Sequence, residues 1–100
     1  MTSKKRRNDR VPKIASDIVP RIPRERYAQL LGDEIAYARR KVRLTQTEVA
    51  DRLDVSTSTI SAVERGKMLP GLPLLLKIGV AINTTASELV AALEENLDLN

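Results

Sequence analysis

A chain of 100 residues with no cysteine and no histidine has no disulfides, no thiolate metal site and no cysteine nucleophile. It also lacks the commonest zinc ligands and the usual general base, so an enzyme would have to work with carboxylates alone. Phe and Trp are absent as well, which leaves Tyr27 and Tyr37 as the aromatics and predicts an aliphatic core of packed helices, an all-α class. The net charge of +4 conceals an asymmetry: residues 1–43 hold 13 Lys and Arg against 5 Asp and Glu, and residues 44–100 hold 4 against 8. The basic half is the one expected to meet a polyanion.

The length fits one domain with a tail. No apolar run approaches the roughly 20 residues of a membrane span, and the opening MTSKKRRNDR has no apolar stretch resembling a secretory signal. The expectation is a soluble, cytoplasmic protein without a membrane partner, metal or cofactor.

Residues 1–24 combine Lys4, Lys5, Arg6, Arg7, Arg10 and Lys13 with Pro12, Pro20 and Pro23, and read as a basic, flexible arm. Ile14, Ile18, Val19 and Ile22 interrupt that composition, and are candidates to dock on the domain or on a partner chain. A folded domain is expected over 25–95. Its first helix shows Leu30, Leu31, Ile35, Ala38 and Val42 at steps of three and four. Gly32 is expected to divide it into a leading turn and a main helix of about Asp33 to Val42, whose end is crowded by Arg39, Arg40, Lys41 and Arg43.

Thr45 and Glu48 form a capping box that starts a second helix at Gln46, with Val49, Ala50 and Leu53 inward. Asp54 tolerates a left-handed turn and Ser56 is a good N-cap, so a third helix is predicted over Thr57 to Glu64, with Ile60 and Val63 inward and Gly66 past its end. A fourth helix is read over Gly71 to Ile82, with Leu72, Leu75, Leu76, Ile78 and Ala81 inward and Asn83 ending it. Thr85 and Glu88 cap a fifth that carries Leu89, Val90 and Leu93. Residues 96–100 are expected to fray.

Two short helices joined by a tight turn, at about Thr45 to Glu64, have the spacing of a helix-turn-helix unit, in which the first helix braces the second against the DNA major groove. Ala50 is small where the two helices would cross. The outward face of the third helix, Thr57, Ser58, Ser61 and Ala62, is slim enough to enter a groove. Its hydroxyls and methyls suit base edges, and these four are the candidate base contacts. That face carries no Arg, Asn or Gln on its early turns, so sequence readout is expected to draw also on DNA shape and on Arg65.

The run Leu44-Thr45-Gln46, Ala50, Ser58-Thr59-Ile60-Ser61 and Glu64-Arg65-Gly66-Lys67 strongly resembles the Cro/CI-type (XRE-type) helix-turn-helix family of phage repressors and related regulators, from about Leu31 to Leu89. The resemblance implies a five-helix lambda-repressor-like domain that binds double-stranded DNA and regulates transcription, as a repressor and a homodimer. It further implies a phosphate contact from Gln46, helped by the helix N-terminus, and one from Lys67. Arg43, Arg65 and the arm are further phosphate candidates. For Arg39 and Glu64 the resemblance implies a structural ion pair between the first and third helices. Asp54 and Arg43 stand where the family often has glycine, and Ala38 where a larger aliphatic residue is common, which would leave the first helix loosely packed unless Tyr37 or Leu44 compensates. The rival reading keeps this fold but makes the chain an antitoxin or interaction module that neutralises a protein partner through its N-terminal arm or C-terminal helix.

Overall fold

The computed structural model describes residues 21–97, and all the secondary structure among them is helical: α1 (Arg24–Lys41), α2 (Gln46–Leu53), α3 (Thr57–Glu64), α4 (Leu72–Ala81) and α5 (Ala86–Asn96). The basic cluster of the arm, Ile14, Ile18 and Val19, and the last three residues lie outside the described part. Among the described residues no single helix is long and apolar enough to cross a membrane.

The core is aliphatic throughout. Ile35, Val49, Ile60, Val63, Ile78 and Ile82 are almost wholly withdrawn from solvent, and Leu31, Ala50, Leu75, Ala86 and Leu89 complete one continuous cluster. In this cluster α1 packs on α3 and α5, α2 on α3 and α4, and α4 on α5. Each fully buried Leu, Ile or Val removes enough apolar surface to contribute about 1.5–3 kcal/mol, and a core of this kind holds short helices that would be marginal alone.

Four helices end in the same way. Arg43, Asp54, Gly66 and Asn83 each adopt a left-handed backbone, with φ of 59°, 57°, 74° and 63°. In each case the next residue's N–H turns back to the carbonyl five positions earlier: Leu44 to Arg39, Val55 to Ala50, Lys67 to Ala62 and Thr84 to Gly79. These bonds satisfy carbonyls that the helix ends would otherwise leave open, and three of the four turns do so without glycine.

Three sequence expectations are corrected. Gly32 does not divide the first helix, which runs unbroken for 18 residues from Arg24. Gly32 is buried against the end of α3, and a Cβ there would clash with the Val63 carbonyl oxygen and lie 2.6 Å from that of Glu64; the glycine lets two backbones touch. Leu72 and Leu76, expected inward, are 65% and 51% exposed, and Val90 is exposed as well. Tyr37 does not fill the space left by Ala38: it is exposed and stacks its ring under the Lys41 ammonium at 5.6 Å. Ala38 and Leu44 pack on the core, but a groove of about 420 Å3 remains between α1 and the α4–α5 corner, lined by Ala38, Val42, Ile82 and Leu89 among others.

Candidate nucleic-acid interface

The start of α2 is fixed by a reciprocal cap. Thr45 Oγ1 accepts from the Glu48 N–H at 3.0 Å, and Glu48 Oε1 accepts from the Thr45 N–H at 2.8 Å. The hydrogen bond from the Thr45 backbone, joined by that of its side chain, holds the Glu48 carboxyl below its ordinary range. The turn through Asp54 then delivers Ser56, whose Oγ accepts from the Thr59 N–H at 3.1 Å and caps α3. The same hydroxyl lies 3.1 Å from Ser58 Oγ and 2.9 Å from Thr59 Oγ1. Across the turn Thr57 Oγ1 donates to Thr47 Oγ1 at 3.3 Å. The first turn of α3 is thus a hydroxyl cluster spanning both helices.

Of the four residues expected at base edges, Thr57 and Ser58 are exposed, while Ser61 and Ala62 are partly covered. Opposite them Ile60 and Val63 are each 1% exposed, which fixes the rotation of α3 and leaves the hydroxyl side outward. Arg65, the C-cap of α3, donates from Nε to Ser61 Oγ at 3.2 Å, so one expected phosphate contact and one expected base contact are coupled. Lys67 is exposed just past Gly66, and Arg43 is exposed in the left-handed turn that leads into α2.

Arg39 and Glu64 meet in a two-pronged pair: Nε donates to Oε2 at 2.6 Å and Nη2 to Oε1 at 2.9 Å, with the side chains only 11% and 5% exposed. The remaining guanidinium prong, Nη1, donates to the Leu44 carbonyl at 2.8 Å. Gln46 Nε2 donates to Glu64 Oε1 at 2.9 Å. Burial pushes the Glu64 carboxyl up, but the hydrogen bonds from Arg39 and Gln46, with the charges of Arg39 and Arg40, outweigh it and hold the group below its ordinary range. The hydrogen bond to Glu64 raises Arg39 in turn. No buried side-chain nitrogen or oxygen among the described residues lacks a partner. This network ties α1, the turn before α2 and the last turn of α3 into one unit, so α3 cannot tilt without breaking charged hydrogen bonds.

Sequence reasoning missed three parts of this arrangement. Gln46, expected at a phosphate, directs its amide N–H to Glu64. Thr47 joins the hydroxyl cluster, and the Leu44 carbonyl completes the Arg39 fork. The signal for Thr47 is its position one residue into α2, beside the Gln46 that was singled out; the Gln46–Glu64 contact joins residues 18 apart and has no local signature. Gln46 and Arg65 share a polar cleft with Arg40 and Glu64, whereas Lys67 lines a separate cleft with Arg24, and Arg43 lines neither. No group of three or more acidic, His or Cys side chains suited to a metal occurs among the described residues.

A helix-turn-helix family model matches residues 35–89, which takes in the end of α1, both motif helices, α4 and the start of α5. An uncharacterized HTH-type transcriptional regulator of Sinorhizobium fredii is 34% identical over 67 residues, covering 67% of this chain and 87% of the relative. A second HTH-type regulator, from Methanocaldococcus jannaschii, is 44% identical over 48 residues, covering 48% of this chain and 73% of the relative. Among solved structures, the clp gene regulator ClgR from C. glutamicum superposes with a TM-score of 0.67 at 22% identity, over 74% of this chain and 96% of that one, a likeness of fold. The matched span of the family model and the curated relatives agree with the capped, braced pair α2–α3: this chain belongs to the XRE-type helix-turn-helix family of transcriptional regulators, which are not enzymes.

Proposed function

We propose that this protein is a sequence-specific repressor that binds double-stranded DNA as a symmetric homodimer in the cytoplasm, with α3 lying in the major groove. The reading is carried by the outer face of α3: Thr57, Ser58, Ser61 and Ala62, away from the core, are all small or hydroxylic, on a helix whose rotation is fixed by Ile60 and Val63. Such a helix approaches paired bases more closely than one standing on long side chains. Thr57, Ser58, Ser61 and Ala62 meet base edges, and Thr47, bonded to Thr57, lies at the rim of the same groove. Lys67, Arg65 and Arg43 meet phosphates, and Gln46 uses its amide oxygen and the α2 N-terminus to orient there while its N–H group stays on Glu64.

One eight-residue helix reads too few base pairs to find a site alone, which is the physical ground for a dimer on a palindromic operator, where two half-sites double the contacts. Occupying such a site blocks other proteins from it, and repression follows.

Selection of bound sequences from a random duplex library, repeated with Ser58→Ala and Ser61→Ala, tests the reading. A shifted base preference is expected, with a loss of about 0.5–1.5 kcal/mol at the affected position. Lys67→Ala should weaken all sequences alike and flatten the salt dependence by about one charge. Salt-insensitive binding, or unchanged preference in both serine variants, would remove α3 from direct readout.

A further inference from the structure

The outer face of α4 is apolar. Leu72, Leu76 and Val80 recur at intervals of four residues, so they share one side of the helix, and they are 65%, 51% and 80% exposed. Leu75 and Ile78 on the other side serve the core. Alongside the stripe runs a groove of about 630 Å3, floored by Leu53, Leu76, Val80 and Ala81 and rimmed by Arg52 and Lys77. A contiguous apolar patch with a charged rim marks an interaction surface, and the DNA-binding reading does not use it.

The path of the chain indicates what covers it. Arg24, the first residue of α1, lines a cleft with Met68 and Leu69, which lead through Pro70 and Gly71 into α4. The N-terminal segment therefore enters the fold beside the end of α4 where the stripe begins. Residues 14–22 of that segment contain Ile14, Ile18, Val19 and Ile22, branched apolar side chains of the kind the stripe would take up. Ten residues of extended chain from Ile14 to Arg24 reach up to about 33 Å, and the stripe from Leu72 to Val80 is about 12 Å long. The tract contains one acidic residue, Asp17, opposite in charge to Lys77 and Arg52 on the rim.

We propose that residues 14–22 dock on the outer face of α4 in the same chain, with Ile22 nearest Leu72 and Ile14 nearest Val80. Docking in this direction starts the basic cluster of Lys4 to Arg10 beside Arg52 and Asp54, next to the turn that precedes α3, and not beside Lys67 past its far end. The proposal rests on reach, apolar composition and charge, and stands whether or not α3 reads bases.

The absence of cysteine makes paired cysteines a clean test in the full chain. Ile18→Cys is combined with Leu76→Cys or with Val80→Cys, and for reference with Tyr37→Cys, which is 60% exposed and lies about 20 Å along α1 from Arg24, within the same reach. Under mild oxidation at micromolar protein, non-reducing electrophoresis should show the α4 pairs closing within one chain about tenfold faster than the reference, as a raised local concentration requires. Equal rates overturn the proposal, and so do products that are only two-chain species, which assign the face to a second copy. A second measurement leaves the described helices unaltered: in the double variant Ile14→Asp with Ile18→Asp, amide exchange across Leu76 to Val80 should quicken several-fold. Unchanged exchange there overturns the proposal as well.

Discussion

Helices α3 and α4 have similar inner faces and opposite outer ones. Each is short, at 8 and 10 residues, and each drives one isoleucine, Ile60 or Ile78, completely out of solvent. On the outside α3 presents Thr57 and Ser58, and α4 presents Leu72, Leu76 and Val80. Their starts differ too, since Ser56 caps α3 with its side chain while Gly71 offers α4 none. The contrast separates two roles: inward aliphatic residues decide how a short helix sits, and the chemistry left outside decides what it meets.

The largest way to break this comparison lies in the one charge that α3 buries and α4 does not. Arg39→Ala leaves the Glu64 carboxylate buried without its partner, a change expected to cost about 3–5 kcal/mol in urea unfolding; a loss below about 1 kcal/mol would reduce the pair to the standing of a surface contact. Acid probes the same network. Because the folded-state pKa of Glu64 is depressed, its stabilisation is fully present above its unfolded value, near 4.5, and is lost as pH falls through the lower folded value. Melting temperature should therefore decline below about pH 4.5, and Glu64→Gln should remove that part of the slope.

Smaller effects sharpen the likeness of the inner faces. Ile60→Val and Ile78→Val should each cost about 0.5–1.5 kcal/mol, and a clear inequality in thermal unfolding would show that one site collapses around the lost methyl and the other does not. The smallest stability changes belong outside. Ser58→Ala should stay within about 0.5 kcal/mol, yet base preference in duplex DNA binding should respond to it. Val80→Ser leaves α3 untouched, so any change in binding it causes should be the same for all sequences; a shifted base preference in it would erase the division between the two outer faces.

The bounds of α2 and α3 were legible because their signals are local. Thr45, Glu48 and Ser56 act on N–H groups three residues away, and the left-handed Asp54 sits between them. Gly32 misled for the converse reason: a helical glycine costs about 1 kcal/mol against alanine, and only the approach of the α3 carbonyls, some thirty positions later, explains why it is there. Leu72 and Leu76 were misassigned because α4 is apolar around most of its circumference, so periodicity cannot choose which side turns inward. The pairing of Arg39 with Glu64 came from family likeness, whereas the Gln46 contact that completes it is set by tertiary geometry alone.

The missing side chain at position 32 acts as a shim of zero thickness. The backbone of α1 rests directly on the last carbonyls of α3, so the height at which the hydroxyl face stands above the body of the protein is set from behind, by a residue that never approaches that face. Even a methyl inserted there has to lift the end of α3 or bend α1. With α3 in the groove as proposed, its depth of entry is therefore adjustable without altering a single outward residue.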